Sequence, residues 1–126
     1  MSYKNSQSIL IGCDHAGYVL KEEIISYLKS MHYNVIDKGA FSKDSVDYPE
    51  FGHKVGESII KGEADRGIVV CGSGIGISIA ANRIEGIRAA LCFTKKHAEM
   101  SRLHNDSNIL ALGSRMSGGD NFFEII

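Results

Sequence analysis

The sequence predicts an α/β fold in which a parallel sheet is covered by helices on both faces. Two observations carry that expectation. Short, continuously apolar runs recur along the chain, SILIG at 8–12 and GIVVC at 67–71 among them, and stretches with apolar residues at helical spacing separate them. Strands that lack polar alternation are buried on both faces, and strands joined through helices run parallel with right-handed crossovers. A third observation bounds the size. The 126 residues hold no repeat, low-complexity run or linker, so one domain spanning 1–126 is expected. A chain of that length can bury roughly two-thirds of its unfolded surface.

The elements follow in order. Residues 8–12 form the expected first strand. From Tyr18 onward, Leu20, Ile24, Leu28 and Met31 recur at helical spacing, and 35–37 is the core of a second strand. Pro49 suits a first helical turn, and Phe51, Val55 and Ile59 continue that helix. Gly52 and Gly56 weaken it by about 1 kcal/mol each relative to Ala, unless their shared face packs closely on a neighbour. The third strand is 67–71, followed by a helix at 75–84. The fourth strand is 89–92, and a helix at 94–103 with Ala98 in its interior leads to the fifth strand, 109–112. Ligands of such sheets bind beyond the carboxyl ends of the strands. That puts GCDH, VCGSG and the turns after Cys92 and Leu112 along one rim.

Composition excludes more than it selects. With 14 basic and 15 acidic residues the net charge is −1, so there is no global attraction to nucleic acid or anionic membrane. Arg88, Lys95 and Lys96 read as a solvated face. The apolar runs are far too short to span a bilayer, and MSYKNSQS lacks the features of a signal peptide. Cys13, Cys71 and Cys92 form no CxxC pair, which argues against a disulfide framework or zinc site and for a reducing cytoplasm. His32, His53 and His97 carry no partner pattern and are expected at the surface.

The unusual stretch is CGSGIGI at 71–77. Its GxGxG is one residue short of a dinucleotide fingerprint, and Cys92 stands where a ribose-binding acid would be expected. No Gly-Lys-Ser/Thr closes a nucleotide loop. A phosphatase loop would need Arg where Ile77 stands, and a phospho-receiver would need Asp where Cys71 stands. What survives is a thiol beside oriented amides at a helix N-terminus, whose positive end stabilises an anion. The competing reading is an inert core cysteine followed by a tight turn. Three glycines and Ser73 directly after Cys71 favour a functional loop. Cys13 and Cys92 lack that setting and read as core or strand-end residues.

Two further clusters stand out. In DHAG at 14–17, Asp14 can cap a helix while His15 touches a sugar or phosphate. In LHNDSN at 103–108, His104 ends a helix, where its protonated form is favoured, and residues 105–108 are more polar than their place beside a strand requires. A capping turn explains that cluster equally well.

The ordered series GCDHAG, DKGAF, DYPEF, CGSGIGISIAAN, GIRAALC and SRLHNDSNILALGSR resembles the type B ribose-5-phosphate isomerases, part of a sugar-phosphate isomerase group that includes galactose-6-phosphate isomerase. The match covers about residues 9–115. The resemblance implies a flavodoxin-like three-layer α/β/α sandwich with a five-stranded parallel sheet. It implies a homodimer or dimer of dimers with sites built across the subunit interface. It further implies aldose–ketose isomerisation in pentose phosphate metabolism, without metal or cofactor. Cys71 matches the catalytic base, and Ile77 stands where some members place an acid instead. His104 matches the histidine that opens the furanose ring. Asp14, His15, Tyr48 and Asn105 match substrate contacts. Gly72, Ser73, Gly74, Ile75 and Gly76 match the loop that holds the anionic intermediate, with Ser73 keeping the hydroxyl of a common Thr. Arg115 matches a phosphate ligand.

The chemistry agrees with these residue types. Moving a carbonyl between C1 and C2 requires removing a carbon-bound proton and holding an enediolate. A thiolate can do the first, and amide donors worth about 3 kcal/mol each the second. Alternatives kept open are a hexose 6-phosphate isomerase and a catalytically silent sugar-phosphate-binding subunit. The resemblance also implies a longer C-terminal helix and a basic tail. Here Gly118, Gly119 and Asp120 read as a helix start, and NFFEII is expected to leave its apolar face exposed.

Overall fold

The computed structural model describes residues 8–42, 48–116, 119 and 121–126, and of Tyr48 and Pro49 the backbone alone. At its centre are five parallel strands, β1 (Ser8–Cys13), β2 (Asn34–Asp37), β3 (Arg66–Cys71), β4 (Ala89–Leu91) and β5 (Ile109–Gly113). Their order is β2-β1-β3-β5-β4. Every residue of β1 is buried, and β3 is buried after Arg66, as continuous apolar strands between two helical layers require. Cys13 lies beside Val70 and Cys71 beside Gly113, so the three inner strands finish close together.

Among the described residues, five α-helices complete the flavodoxin-like sandwich: α1 (Tyr18–Ser30), α2 (Tyr48–Ile60), α3 (Ile75–Asn82), α4 (Lys95–Asn105) and α5 (Phe122–Ile125). Right-handed crossovers onto this strand order put α1 and α4 on one face and α2 and α3 on the other. The chain moves outward from β1 to β2 and in the opposite sense from β3 to β4, so the order reverses at the carboxyl ends of β1 and β3. Relative to the order 2-1-3-4-5 of simple flavodoxin-like sheets, the last two strands are exchanged. β5 is thereby the direct neighbour of β3.

The glycine pair in α2 serves close packing, as expected. A Cβ on Gly52 would stand 3.0 Å from the Ile77 carbonyl oxygen, and one on Gly56 would stand 2.7 Å from Ile84 Cδ1. Adding carbon there overpacks α2 against α3 and the turn that follows it, a change that costs about 1–3 kcal/mol.

Several boundaries and faces differ from the sequence reading. β1 runs on through Cys13, β4 stops at Leu91, and α3 ends at Asn82. Thr94 is not in α4 but caps it, its Oγ1 accepting the His97 N–H at 3.0 Å. Met31 follows the helical spacing of α1's apolar face, yet it is 49% exposed because it is the residue that terminates the helix. Burial passes instead to Lys21, whose side chain is fully covered. His53 is half-buried rather than at the surface.

The apolar end of the chain is not left exposed either. α5 starts after Asn121, whose Oδ1 accepts the Phe123 N–H; Gly118 and Asp120 lie outside the described residues. Ile125 is buried, Phe122 and Ile126 pack on the core, and the Phe123 ring meets Tyr27 of α1 at 4.8 Å. A short helix can hide both sides of its apolar surface when it seats in the gap between α1 and α4.

Candidate active site

Three loops meet at the carboxyl rim, at the reversal of strand order. The first leaves β1. Its Asp14 N–H donates to the Val70 carbonyl at 3.1 Å, and Asp14 Oδ1 accepts the Gly17 N–H at 3.1 Å. Asp14 thus caps as expected, but it caps a single 3-10 turn, His15–Gly17, that precedes α1. A Cβ on Gly17 would stand 2.6 Å from the Val70 carbonyl oxygen, so this turn is pressed against the end of β3. His15 is half-buried at its start.

The second loop leaves β3 through Cys71, which is 4% exposed. Cys71 Sγ accepts the Gly74 N–H at 3.1 Å, and Ser73 Oγ accepts the Ile75 N–H at 3.1 Å. The thiol therefore lies at the N-terminus of α3, where the helix dipole favours negative charge. Gly74 adopts φ +78, and a Cβ there would stand 2.5 Å from Leu91 Cδ1 and 2.9 Å from the Leu112 carbonyl carbon. So the glycine run does not serve a ligand alone. Gly74 is demanded by its left-handed backbone and by the strands beneath it. Ile77 is fully buried among core side chains, with no opening toward the rim.

The third loop leaves β5 and ties the other two together. The Ser114 and Arg115 N–H groups donate to the Cys71 and Gly72 carbonyls at 2.8 and 2.9 Å. Ser114 Oγ donates to the Ala16 carbonyl at 2.7 Å. The Arg115 side chain crosses over Gly72, its Cδ 3.4 Å from where a Cβ would be. Asp14, His15, Cys71, the loop from Gly72 to Gly76 and Arg115 thus share one site. Tyr48 opens α2, and its side chain lies outside the described residues.

His104 and Asn105 are elsewhere. α4 starts near the carboxyl end of β4 and finishes before β5 begins, so its last turn lies at the amino rim. Six residues of β3 separate the two rims, roughly 16 Å at about 3.3 Å per residue. Among the described residues neither side chain makes a hydrogen bond or ion pair, and both residues are exposed. The polarity of the following residues has a structural use. Asp106 ends α4 with φ +48, Ser107 Oγ lies 2.8 Å from Ser101 Oγ, and Asn108 Oδ1 accepts the Arg88 N–H at 2.8 Å.

Sequence reasoning missed Lys21 and Asp37. The buried Lys21 ammonium donates to both Asp37 carboxylate oxygens at 2.9 and 2.8 Å and to the Ala40 carbonyl at 2.6 Å. Gly39 and Ala40 in turn exchange backbone hydrogen bonds with Cys13, so this ion pair fixes the loop after β2 against the site. Asp37 opens the motif DKGAF, and the one sequence signal for Lys21 is its position next to Leu20 on α1.

Burial pushes the Cys13 thiol up to about 11, against the opposing pull of Lys21 and the Ala40 carbonyl contact. Burial raises Cys92 as well, with Ser101 working in the other direction. A cavity of about 510 Å³ lies between α4, α5 and the amino ends of β1, β3 and β5, lined by Ile9, Ile68, Leu110 and Ile125 among others. A second, of about 480 Å³, is lined by Arg66, Arg88 and Arg102 at the same rim. Neither includes Cys71, and the first offers mostly apolar walls, a poor match for a phosphorylated sugar.

Residues 9–126 match the model of the family described as Ribose/Galactose Isomerase. The chain is 48% identical over 112 residues to ribose-5-phosphate isomerase B of Escherichia coli (strain K12), covering 89% of this chain and 75% of that protein. It is 42% identical over 110 residues to galactose-6-phosphate isomerase subunit LacB of Clostridium acetobutylicum, covering 87% and 64%. Among solved structures, Clostridium thermocellum ribose-5-phosphate isomerase B superposes with a TM-score of 0.91 at 58% identity, covering 94% of this chain and 80% of that one. With the fold, the thiol-bearing loop and these likenesses in agreement, the chain belongs to the ribose/galactose isomerase family.

Proposed function

We propose that this chain interconverts D-ribose 5-phosphate and D-ribulose 5-phosphate. The observation that carries the reading is the Cys71 thiol at the N-terminus of α3, beside Gly72 and the Arg115 side chain that crosses it. Two relatives bearing the name ribose-5-phosphate isomerase B, at 48% and 58% identity, support the choice of substrate.

The Cys71 thiolate removes the C2 proton of the open-chain aldose, and the electron pair moves into the C1–C2 bond while O1 gains the negative charge. A proton passes from O2 to O1, and returning the abstracted proton to C1 as the C2 carbonyl forms gives the ketose, with no net oxidation. The Gly74 and Ile75 amides are engaged by Sγ and Ser73 Oγ. The enediolate oxygen is therefore held by other amides of the loop, such as Gly76, whose first-turn N–H has no helical carbonyl before it. Arg115 and His15 bind the phosphate, and Asp14 and Tyr48 contact the sugar hydroxyls. Remote phosphate binding positions the reacting carbons.

His104 serves as the acid–base group that opens the furanose. It lies a sheet's length from Cys71 within one subunit, so a second subunit supplies it, with Asn105, to the site. This favours the homodimer over a working monomer. Purified protein assayed for ketose formation from ribose 5-phosphate and from galactose 6-phosphate tests the reading. Faster turnover of the pentose is expected. Preference for the hexose would support the second reading, which the 42% identity to a galactose-6-phosphate isomerase subunit favours. Turnover of neither would leave a sugar-phosphate-binding subunit.

A further inference from the structure

We propose that Arg88 is a positioning residue for the reaction, holding the end of α4 so that His104 and Asn105 reach the substrate. The inference rests on the roles given to those two residues above. Arg88 Nε–H donates to the Asn105 backbone carbonyl, one of the last-turn oxygens that α4 itself leaves without a donor. A cation at that end also complements the helix dipole.

Arg88 is in turn held by the residues it serves. Its N–H donates to Asn108 Oδ1 at 2.8 Å, and its carbonyl accepts the Asn108 and Ile109 N–H groups at 3.0 and 3.3 Å. Asn108 Nδ2 also donates to the Gly86 carbonyl at 3.0 Å. The result is a closed clasp between the start of β4 and the turn that follows α4. His104 and Asn105 project from this clasp. None of α4 is fully buried, so the core does little to fix its last turn, and the clasp supplies what packing does not. Removing the guanidinium frees the Asn105 carbonyl, lets the turn fray, and moves the imidazole away from the ring oxygen.

The test separates ring opening from proton abstraction. Ribulose 5-phosphate cannot close a furanose ring because its O5 carries the phosphate, so exchange of its C1 proton in deuterated water reads the Cys71 step alone. Conversion of ribose 5-phosphate reads both steps. With saturating substrate, Arg88→Ala should slow ribose 5-phosphate conversion about tenfold or more, in line with the cost of misplacing a catalytic group. Exchange into ribulose 5-phosphate should stay within about twofold, and Arg88→Lys, which retains a donor, should recover part of the lost conversion. His104→Asn should give the same pattern more strongly. Equal losses in both assays for Arg88→Ala, or no loss in either, would overturn the inference. Wild-type protein that fails to convert ribose 5-phosphate would sink the proposed function itself. An active wild type whose His104→Asn variant loses both assays equally would remove the ring-opening role and Arg88's part with it.

Discussion

Cys71, Cys13 and Cys92 are all buried thiols, and their neighbours divide them. Cys71 faces the Gly74 N–H at the start of α3, whereas Cys13 is closed in against the loop after β2 and Cys92 sits behind α4. Cys71→Ala should therefore abolish exchange of the ribose 5-phosphate C2 proton with solvent while leaving the fold intact, as circular dichroism would verify. Exchange at near wild-type rate would exclude the thiol as base. Cys13 makes a prediction about stability instead. Its folded value of about 11 exceeds the ordinary 9.0, so below pH 9 the thiol is neutral in both states and its contribution is fully present. Between pH 9 and 11 the unfolded chain ionises first, and stability falls by roughly 2–3 kcal/mol over that interval. Cys13→Ala should lose this part of the slope in denaturant titrations at stepped pH. An unchanged slope would mean that Cys13 ionises as readily in the folded chain.

At the scale of elements, the β3–α3 junction joins stability to function. Gly74 permits the turn that aims the first amides of α3 at the thiol, and it does so by lying on Leu91 and the Leu112 backbone. Gly74→Ala should destabilise the protein by at least about 2 kcal/mol, combining the left-handed penalty with the contact below 3 Å. It should also cost most of the activity, because the loop must lift away from the strands. Thermal unfolding and initial rates on one preparation would check both, and an active variant of unchanged melting temperature would refute the assignment. The Lys21–Asp37 pair works on the adjoining loop in the same manner, trading a buried charge for a fixed Gly39–Ala40 segment beside Cys13.

At the scale of the whole molecule, the two rims of the sheet hold residues to which the proposed function gives different parts of one reaction. Cys71 and Arg115 are at the carboxyl rim and His104 at the amino rim, so a site shared between subunits predicts complementation. Cys71→Ala and His104→Asn should each be inactive on ribose 5-phosphate alone. Unfolded together and refolded at equal amounts, about half of the dimers should be hybrids with one intact site of two, giving about a quarter of wild-type activity. Sites confined to single chains would give no recovery. Size-exclusion chromatography with light scattering would establish the assembly in the same samples.

The strands, the helices and the loop at 71–76 were legible because each depends on neighbours in the chain. Continuous apolar runs, helical spacing and bare glycines after a cysteine are local patterns, and the motif series carried the family. Less of the rest was local. The order β2-β1-β3-β5-β4 comes from which strands bury which faces, and only that order sets β5 against β3 and so brings Arg115 to Gly72. Nothing local marks Lys21 as a buried cation, because its partner Asp37 stands sixteen residues on, at the end of β2. The apolar NFFEII read as exposed because the groove that receives it belongs to distant helices. What the sequence alone determined was the chemistry of each segment and the class of fold. The meeting of Asp14, Cys71 and Arg115, and the distance of His104 from all of them, was decided by tertiary structure, because hydrophobic burial is non-directional and says which faces must be covered without saying by which segment.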